Sequence, residues 1–410
     1  MLNTPSFLYF FQLLNNWPRF FVFLWDNTIV PVHTVIPIET WRPSFFDNDT
    51  TPIVANSLEE FRRRYGIVEV SACSKHFPKE ATFWWEILGE GSLTLPLQST
   101  SCRTSFNVLK QGAYKVSVVV RGGDGTILGA GSTTVQVNDR WIVALGDSFC
   151  SGEGNPDRSR SAQREAQWMD EGCHRSSNSW ASKVASRFSS SSKSSSTIFT
   201  FLCCTGASVE SGVLKGNPQQ IKAQIEILEE IGKTMEISPD VVLMSVGGND
   251  IGYAEIMHAL GSGHEVSLFR TLHLRFMFAS QQLDNLAVRL SALRPKRVIF
   301  PHYFDPSRDE RGNFDASCDD FKDIGSQNLQ TAEELILKRL NKLITAKCVE
   351  NGWTDVDISK VFEKGGVCSR TSRIRSVAES LRLEGSVLGA FHPNSIAHSE
   401  VADLAWKALN

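Results

Sequence analysis

The sequence predicts an α/β fold, a parallel sheet flanked by helices, with a small β-sandwich ahead of it. Three observations carry this expectation. Residues 51–138 read as short alternating strands separated by turns. After Asn138 the strands become continuous apolar runs at 141–145, 241–246 and 297–300, as strands buried on both faces do. Helical patterns lie between those runs, and strands that alternate with helices imply a parallel sheet.

Taken in order, residues 1–50 receive no domain. Two apolar stretches, 7–14 and 20–25, are each too short to span a bilayer. The first eighteen residues hold no Lys or Arg, so a secretory leader here would be degenerate; a membrane-surface anchor and a mispredicted start are the other readings. Asn48-Asp49-Thr50 is a glycosylation sequon compatible with secretion. Residues 51–138 form the expected immunoglobulin-like sandwich. Phe83-Trp84-Trp85-Glu86-Ile87-Leu88 is rich in strand-favouring aromatics, and 114–118 and 133–137 alternate with period two. Arg121-Gly122-Gly123-Asp124-Gly125 supplies the turn. Cys73 and Cys102 fall in this region and are candidates to staple it.

Residues 139–410 form the α/β domain. Asn217 reads as an N-cap with Pro218 in the first helical position, Ile221, Ile225 and Leu228 share one face, and Gly232 is a stop. Further helices are expected over 281–293 and 330–346. The serine run at 189–196, broken only by Lys193, reads as a solvated loop.

Composition narrows the function. A chain of 410 residues with 41% hydrophobic and 21% charged residues supports packed domains. A net charge of -3 leaves no basic footprint for nucleic acid. The nine cysteines offer no pair of CxxC steps, which argues against a zinc ribbon and for disulfides in an exported protein, with one thiol left over. No metal or cofactor is expected, and the oligomeric state is not fixed by the sequence.

The chemistry lies in four blocks. Gly146-Asp147-Ser148 follows the first apolar strand, where a nucleophilic serine would stand at the carboxyl edge of the sheet. Gly206 sits in Cys204-Thr205-Gly206-Ala207-Ser208, Gly247-Gly248-Asn249-Asp250 follows the run 241–246, and Phe391-His392-Pro393-Asn394 precedes the last helix. With these blocks in this order, the chain resembles the SGNH (GDSL-like) hydrolase superfamily over residues 140–410. Gly146-Asp147-Ser148-Phe149-Cys150-Ser151-Gly152-Glu153-Gly154 and Cys173-His174-Arg175-Ser176 resemble its secreted lipase/esterase branch.

The resemblance implies a flavodoxin-like hydrolase domain and a serine esterase or lipase that forms an acyl-enzyme. Ser148 would attack the carbonyl and His392 would act as general base. The Ser148 and Gly206 N–H groups and the Asn249 amide would form the oxyanion hole. It also implies a Cys173–Cys204 bridge; Cys318–Cys368 is a further pairing, with Cys348 competing. One departure stands out. The family has aspartate three residues before the base, and here that position is Gly389, which offers only a backbone carbonyl. A Ser–His dyad with the Gly389 carbonyl on Nδ1 is therefore expected, a distant carboxylate such as Asp250 or Asp305 being the alternative. Two rival functions stay open: a carbohydrate deacetylase with a glycan-binding β-domain, and a catalytically weak binding protein. The substrate expected is a small-molecule or lipid ester, with contact to a membrane surface compatible. His174, His302 and His398 read as structural.

Overall fold

The computed structural model describes residues 24–25, 28–29, 35–47, 51–89, 92–93, 96–108, 110–189, 195–253, 255–256 and 265–410. The apolar stretch 7–14, most of 20–25, the sequon at 48–50 and most of the serine run therefore lie outside the described residues. The chain divides into two compact units, residues 1–43 with 66–138, and residues 44–65 with 139–410. Among the described residues, no helix is long and apolar enough to cross a membrane.

The core of the first unit is built from two antiparallel sheets. One has the order β6-β2-β1, from Arg103–Asn107 (β6), Ile67–Ser71 (β2) and Glu39–Trp41 (β1). The other has the order β8-β7-β3-β4, with β5 also on β3. It uses Ile127–Val137 (β8), Gly112–Arg121 (β7), Thr82–Gly89 (β3), Ser92–Leu93 (β4) and Leu97–Ser99 (β5). Alternate residues of β3 are buried, as a strand with one wet face requires. Phe83, Trp85 and Ile87 meet Val68, Val70 and Phe106 of the other sheet in one core. Cys73–Cys102 ties the adjacent ends of β2 and β6.

The second unit holds a five-stranded parallel sheet of Arg140–Gly146 (β9), Thr197–Phe201 (β10), Val241–Ser245 (β11), Arg297–Pro301 (β12) and Thr354–Val356 (β13). Its order is β10-β9-β11-β12-β13, that is 2-1-3-4-5, the flavodoxin-like winding. Side chains alternate between two cores, so the strands β9 to β12 are largely apolar on both faces. Trp141, Val143 and Leu145 enter the core that takes Gln224–Met235 (α4), Glu265–Leu293 (α5) and Lys338–Asn351 (α7). Ile142, Ala144, Phe199 and Phe201 enter the core that takes Trp180–Phe188 (α3) and Ser395–Leu409 (α10).

Three sequence expectations shift. Residues 44–65 belong to the α/β unit rather than being split at residue 51. Ala55 N–H donates to the Phe199 carbonyl at 2.8 Å and Asn56 Oδ1 accepts from Phe201 N–H at 2.7 Å, so this segment covers the free edge of β10. It continues into Leu58–Arg62 (α1), which buries Phe61 beside Trp141. Helix α4 begins at Gln224, not after Asn217, and runs past Gly232 to an αL cap at Glu236. Asn217 instead closes a local turn by accepting Gln220 N–H at 2.7 Å, which leaves Ile221 exposed. The helix expected over 330–346 runs from Ser326 to Asn351 through a π turn at Glu333–Leu337.

Candidate active site

The Gly146-Asp147-Ser148 block sits where β9 ends. Gly146 has φ +135°, and a Cβ there would lie 1.9 Å from the Ser245 carbonyl oxygen, so only glycine lets the chain leave the strand against β11. Its N–H and C=O are both held by the buried Gln224 side chain, at 2.7 and 3.0 Å. Asp147 then caps the short helix Ser148–Ser151 (α2) by accepting Phe149 N–H at 3.1 Å. Its carboxylate also accepts the hydroxyls of Ser245, at 2.9 Å, and Tyr303. Burial raises the Asp147 pKa to about 6 against these hydrogen bonds. The cap leaves Ser148, half-buried, at the first position of the helix.

Ser148 Oγ lies 2.8 Å from His392 Nε2. The partner of Nδ1 is the Ala390 carbonyl at 3.2 Å, not that of Gly389. The Gly389 oxygen is taken by the backbone N–H of His392 itself, at 3.2 Å. The turn that brings this about places Phe391 at φ +64°, a conformation a bulky residue adopts only when its surroundings impose it. They do: Phe391 N–H and the His392 carbonyl pair with Arg375, both at 2.8 Å, and the Phe391 ring stacks on Phe321. A carbonyl only accepts, so Nδ1 carries the proton and Nε2 presents its lone pair to the serine. Burial holds the imidazole pKa below its ordinary value, against the pull of Glu153 and the nearby carbonyls. Neither alternative carboxylate reaches the ring: Asp250 accepts Val209 N–H at 3.0 Å and Asp305 is paired with Arg308 at 2.7 Å.

The absence of aspartate at residue 389 has a steric cause. A Cβ there would meet Gly154 Cα at 2.5 Å and Glu384 Oε1 at 2.6 Å. The space a side chain would use is already filled by backbone and by the carboxyl group of Glu384.

Three donors of the expected site keep a hydrogen to spare. Among the described residues no acceptor takes the N–H of Ser148 or of Gly206, which is exposed with φ +75°. Asn249 is exposed and spends one Nδ2 hydrogen on the Ala207 carbonyl at 2.8 Å, which fixes the amide and leaves the other hydrogen free. Consecutive cysteines anchor this loop twice. Cys204 bonds Cys173, as the resemblance implied, and Cys203 bonds Cys150 of α2, a pairing the sequence reading missed. Cys318–Cys368 also forms, and Cys348 is a buried thiol whose pKa burial pushes up to about 12.

Behind the base lies a group that sequence reasoning missed, although Glu153 stands in the quoted nucleophile block. Glu153 is buried, and its two oxygens take His174 Nδ1–H at 2.9 Å and the Thr205 hydroxyl. Burial opposes its charge, yet the His174 bond and the His392 and His174 charges bring its pKa below the usual range. His174 is raised against its own burial by the same partner and stacks on Trp168. Glu384 joins them, with polar atoms of the three within 4.8 Å of one another. Because Glu153 already spends both oxygens on protein donors, we read the group as an ion pair facing an acid rather than as a metal centre. His302 binds Thr345 and Asp355, and His398 is buried with Nδ1 accepting Trp180 N–H at 3.1 Å.

A cavity of about 850 Å³ opens beside Ser148, Asn249 and His392. Ile251, Ile256, Ile324, Leu329, Ile336 and Leu340 give its walls an apolar character.

Fold and site together define an α/β protein with a hydrogen-bonded serine–histidine pair at the carboxyl edge of its sheet. A family model described as the GDSL-like Lipase/Acylhydrolase family matches residues 144–399. The chain belongs to that family and is a hydrolase. Among solved structures it is similar to an extracellular lipase from Streptomyces rimosus, at 20% identity over 66% of this chain and 98% of that one, TM-score 0.45. It is also similar to a carbohydrate esterase whose active site is described as displaying divergent catalytic and non-catalytic binding functions (12%, 92% and 98%, TM-score 0.35). A third is the lipase Lip_vut3 from a goat rumen metagenome (14%, 66% and 97%, TM-score 0.36). No curated protein matches the chain.

Proposed function

We propose that the protein hydrolyses carboxylic esters of extended acyl chains through an acyl-enzyme, with Ser148 and His392 acting as a dyad. The observation that carries this is the 2.8 Å contact of Ser148 Oγ with His392 Nε2, in a ring whose other nitrogen is satisfied by a backbone carbonyl. His392 takes the serine proton as Oγ attacks. The oxyanion then receives the N–H groups of Ser148 and Gly206 and the free Asn249 Nδ2 hydrogen, donors already in place before charge develops. The imidazolium returns the proton to the leaving alcohol, and water repeats the sequence on the acyl-enzyme. Gly389 contributes no side chain; it gives the turn its close packing.

The cavity supports the acyl reading over the glycan one. Its volume is near the upper end of the roughly 300–1,000 Å³ of small-molecule sites, and aliphatic side chains make most of its wall, with Asp305, Asp320, Asp323 and Glu333 adding a polar part. Four disulfides support an oxidising compartment. The experiment is a chain-length series of p-nitrophenyl esters beside an acetylated xylan, with a fluorophosphonate probe and Ser148→Ala as control. Turnover that rises from acetyl to octanoyl or longer, with labelling lost in Ser148→Ala, is expected. Labelling that survives the substitution, or activity confined to the acetylated glycan, would overturn the reading.

A further inference from the structure

We propose that Glu384 is a positioning residue of the hydrolytic centre, holding the turn that offers the Ala390 carbonyl to His392. The inference rests on the Ser148–His392 reading and deepens it. Glu384 ends the helix Val377–Glu384 (α9), after which the chain turns back across its own carboxyl group. Glu384 Oε1 accepts the Gly389 N–H at 2.6 Å and the Ser386 hydroxyl at 3.2 Å. The Ser380 hydroxyl lies at 2.7 Å, shared with the Ser386 carbonyl. The residue after Gly389 is the one whose carbonyl meets Nδ1. One carboxylate oxygen therefore fixes both ends of the segment 386–389, from which Ala390 projects.

Its placement argues against a purely structural role. Glu384 is 9% exposed, has no lysine or arginine among its hydrogen-bond partners, and leaves Oε2 buried without a partner. Burial and the charge of Glu153 push its pKa up, so the fold bears a cost to keep this acceptor oxygen where Gly389, Ser386 and Ser380 meet it. Titratable groups held at such cost gather at functional sites. This one occupies the volume that the family's aspartate would fill, 2.6 Å from where a residue-389 Cβ would stand. It touches the base only through the turn.

The test is steady-state kinetics on the best p-nitrophenyl ester for wild type, Glu384→Ala, Glu384→Gln and Glu384→Asp, each checked for folding by circular dichroism. Loosening a catalytic group by a fraction of an ångström costs about 10–100-fold. Glu384→Ala should lose about that in kcat with KM within about twofold. Glu384→Gln keeps the Oε1 acceptor and should recover kcat to within about threefold of wild type. Folded Glu384→Ala with wild-type kcat would overturn the proposal, as would Glu384→Gln as poor as the alanine variant. If the alanine variant does not fold, Glu384→Asp decides, because it keeps the charge and withdraws the oxygen from Gly389; unchanged kcat there refutes positioning. Wild-type labelling at Ser148 alongside any of these refutations leaves the dyad standing and removes Glu384 alone.

Discussion

Removing the Cys173–Cys204 bridge, as Cys173→Ala/Cys204→Ala, tests whether the loop that carries Gly206 is held by covalent constraint. The bridge joins residues 31 apart. Closing a loop of that length alone removes chain entropy from the unfolded state worth about 3.7 kcal/mol at 25 °C. Cys150–Cys203 provides a second path between the same two ends, of roughly 24 residues, so the unfolded chain is already restricted there and the expected loss falls to about 3 kcal/mol. Urea unfolding of the α/β unit, with the other bridges intact, measures it. Turnover should fall as well, because Thr205 and Gly206 keep only the Thr205 N–H to Cys173 carbonyl bond, at 3.1 Å, and the Thr205–Glu153 bond as local ties. A stability loss under about 1 kcal/mol would mean that Cys150–Cys203 supplies the constraint unaided and that the entropy reasoning fails here.

The remaining predictions concern donors and protons. Asn249→Ala should lower kcat about 10²–10³-fold without unfolding the chain; equal turnover in a folded variant would place the third donor elsewhere. The acid limb of kcat/KM, which reports the free enzyme's base, should fall below the ordinary imidazole value of about 6.5, since burial favours neutral His392. A limb above that value would refute the desolvated base. His398 is buried neutral with its pKa lowered to about 3. The unfolded chain takes a proton there near pH 6.5 that the folded one refuses, so this contribution to stability is whole above about pH 6.5 and is lost progressively toward pH 3. His398→Gln should flatten that slope in unfolding titrations at pH 7, 5 and 4; parallel curves for the two proteins would show that other groups set it.

What could be read from the sequence was local and periodic. The apolar runs that became β9, β11 and β12 announce themselves because a strand buried on both faces must be apolar throughout. The blocks around Ser148, Gly206, Asn249 and His392 lie on loops beyond strand ends or before a helix, so their order along the chain maps onto one edge of the sheet. The partner of Nδ1 was not legible, because Ala390 rather than Gly389 is chosen by the left-handed backbone of Phe391, and that conformation is imposed by Arg375 and Phe321. Glu384 was hidden for the same reason, since its relation to Gly389 exists only once the chain after α9 folds back. Residues 44–65 were misassigned because edge covering uses backbone hydrogen bonds, which leave no mark in residue type. The start of α4 moved to Gln224 because a buried glutamine clasping Gly146 outweighs the capping preference of Asn217.

The close approach of Gly389 to Gly154 has a consequence for descent. A lineage holding this arrangement cannot regain an aspartate at residue 389 by one substitution, since the new Cβ would enter Gly154 Cα and Glu384 Oε1 before any carboxylate reached the imidazole. The backbone following Glu153 would have to withdraw and residue 384 would have to shrink in the same ancestor, and each change alone disturbs the turn behind His392. Relatives that carry the aspartate should accordingly differ from this chain at 384 and in the backbone path around 154 together. The three positions would then be inherited as a set, and sequence pairs that mix the two sets should be rare among folded members.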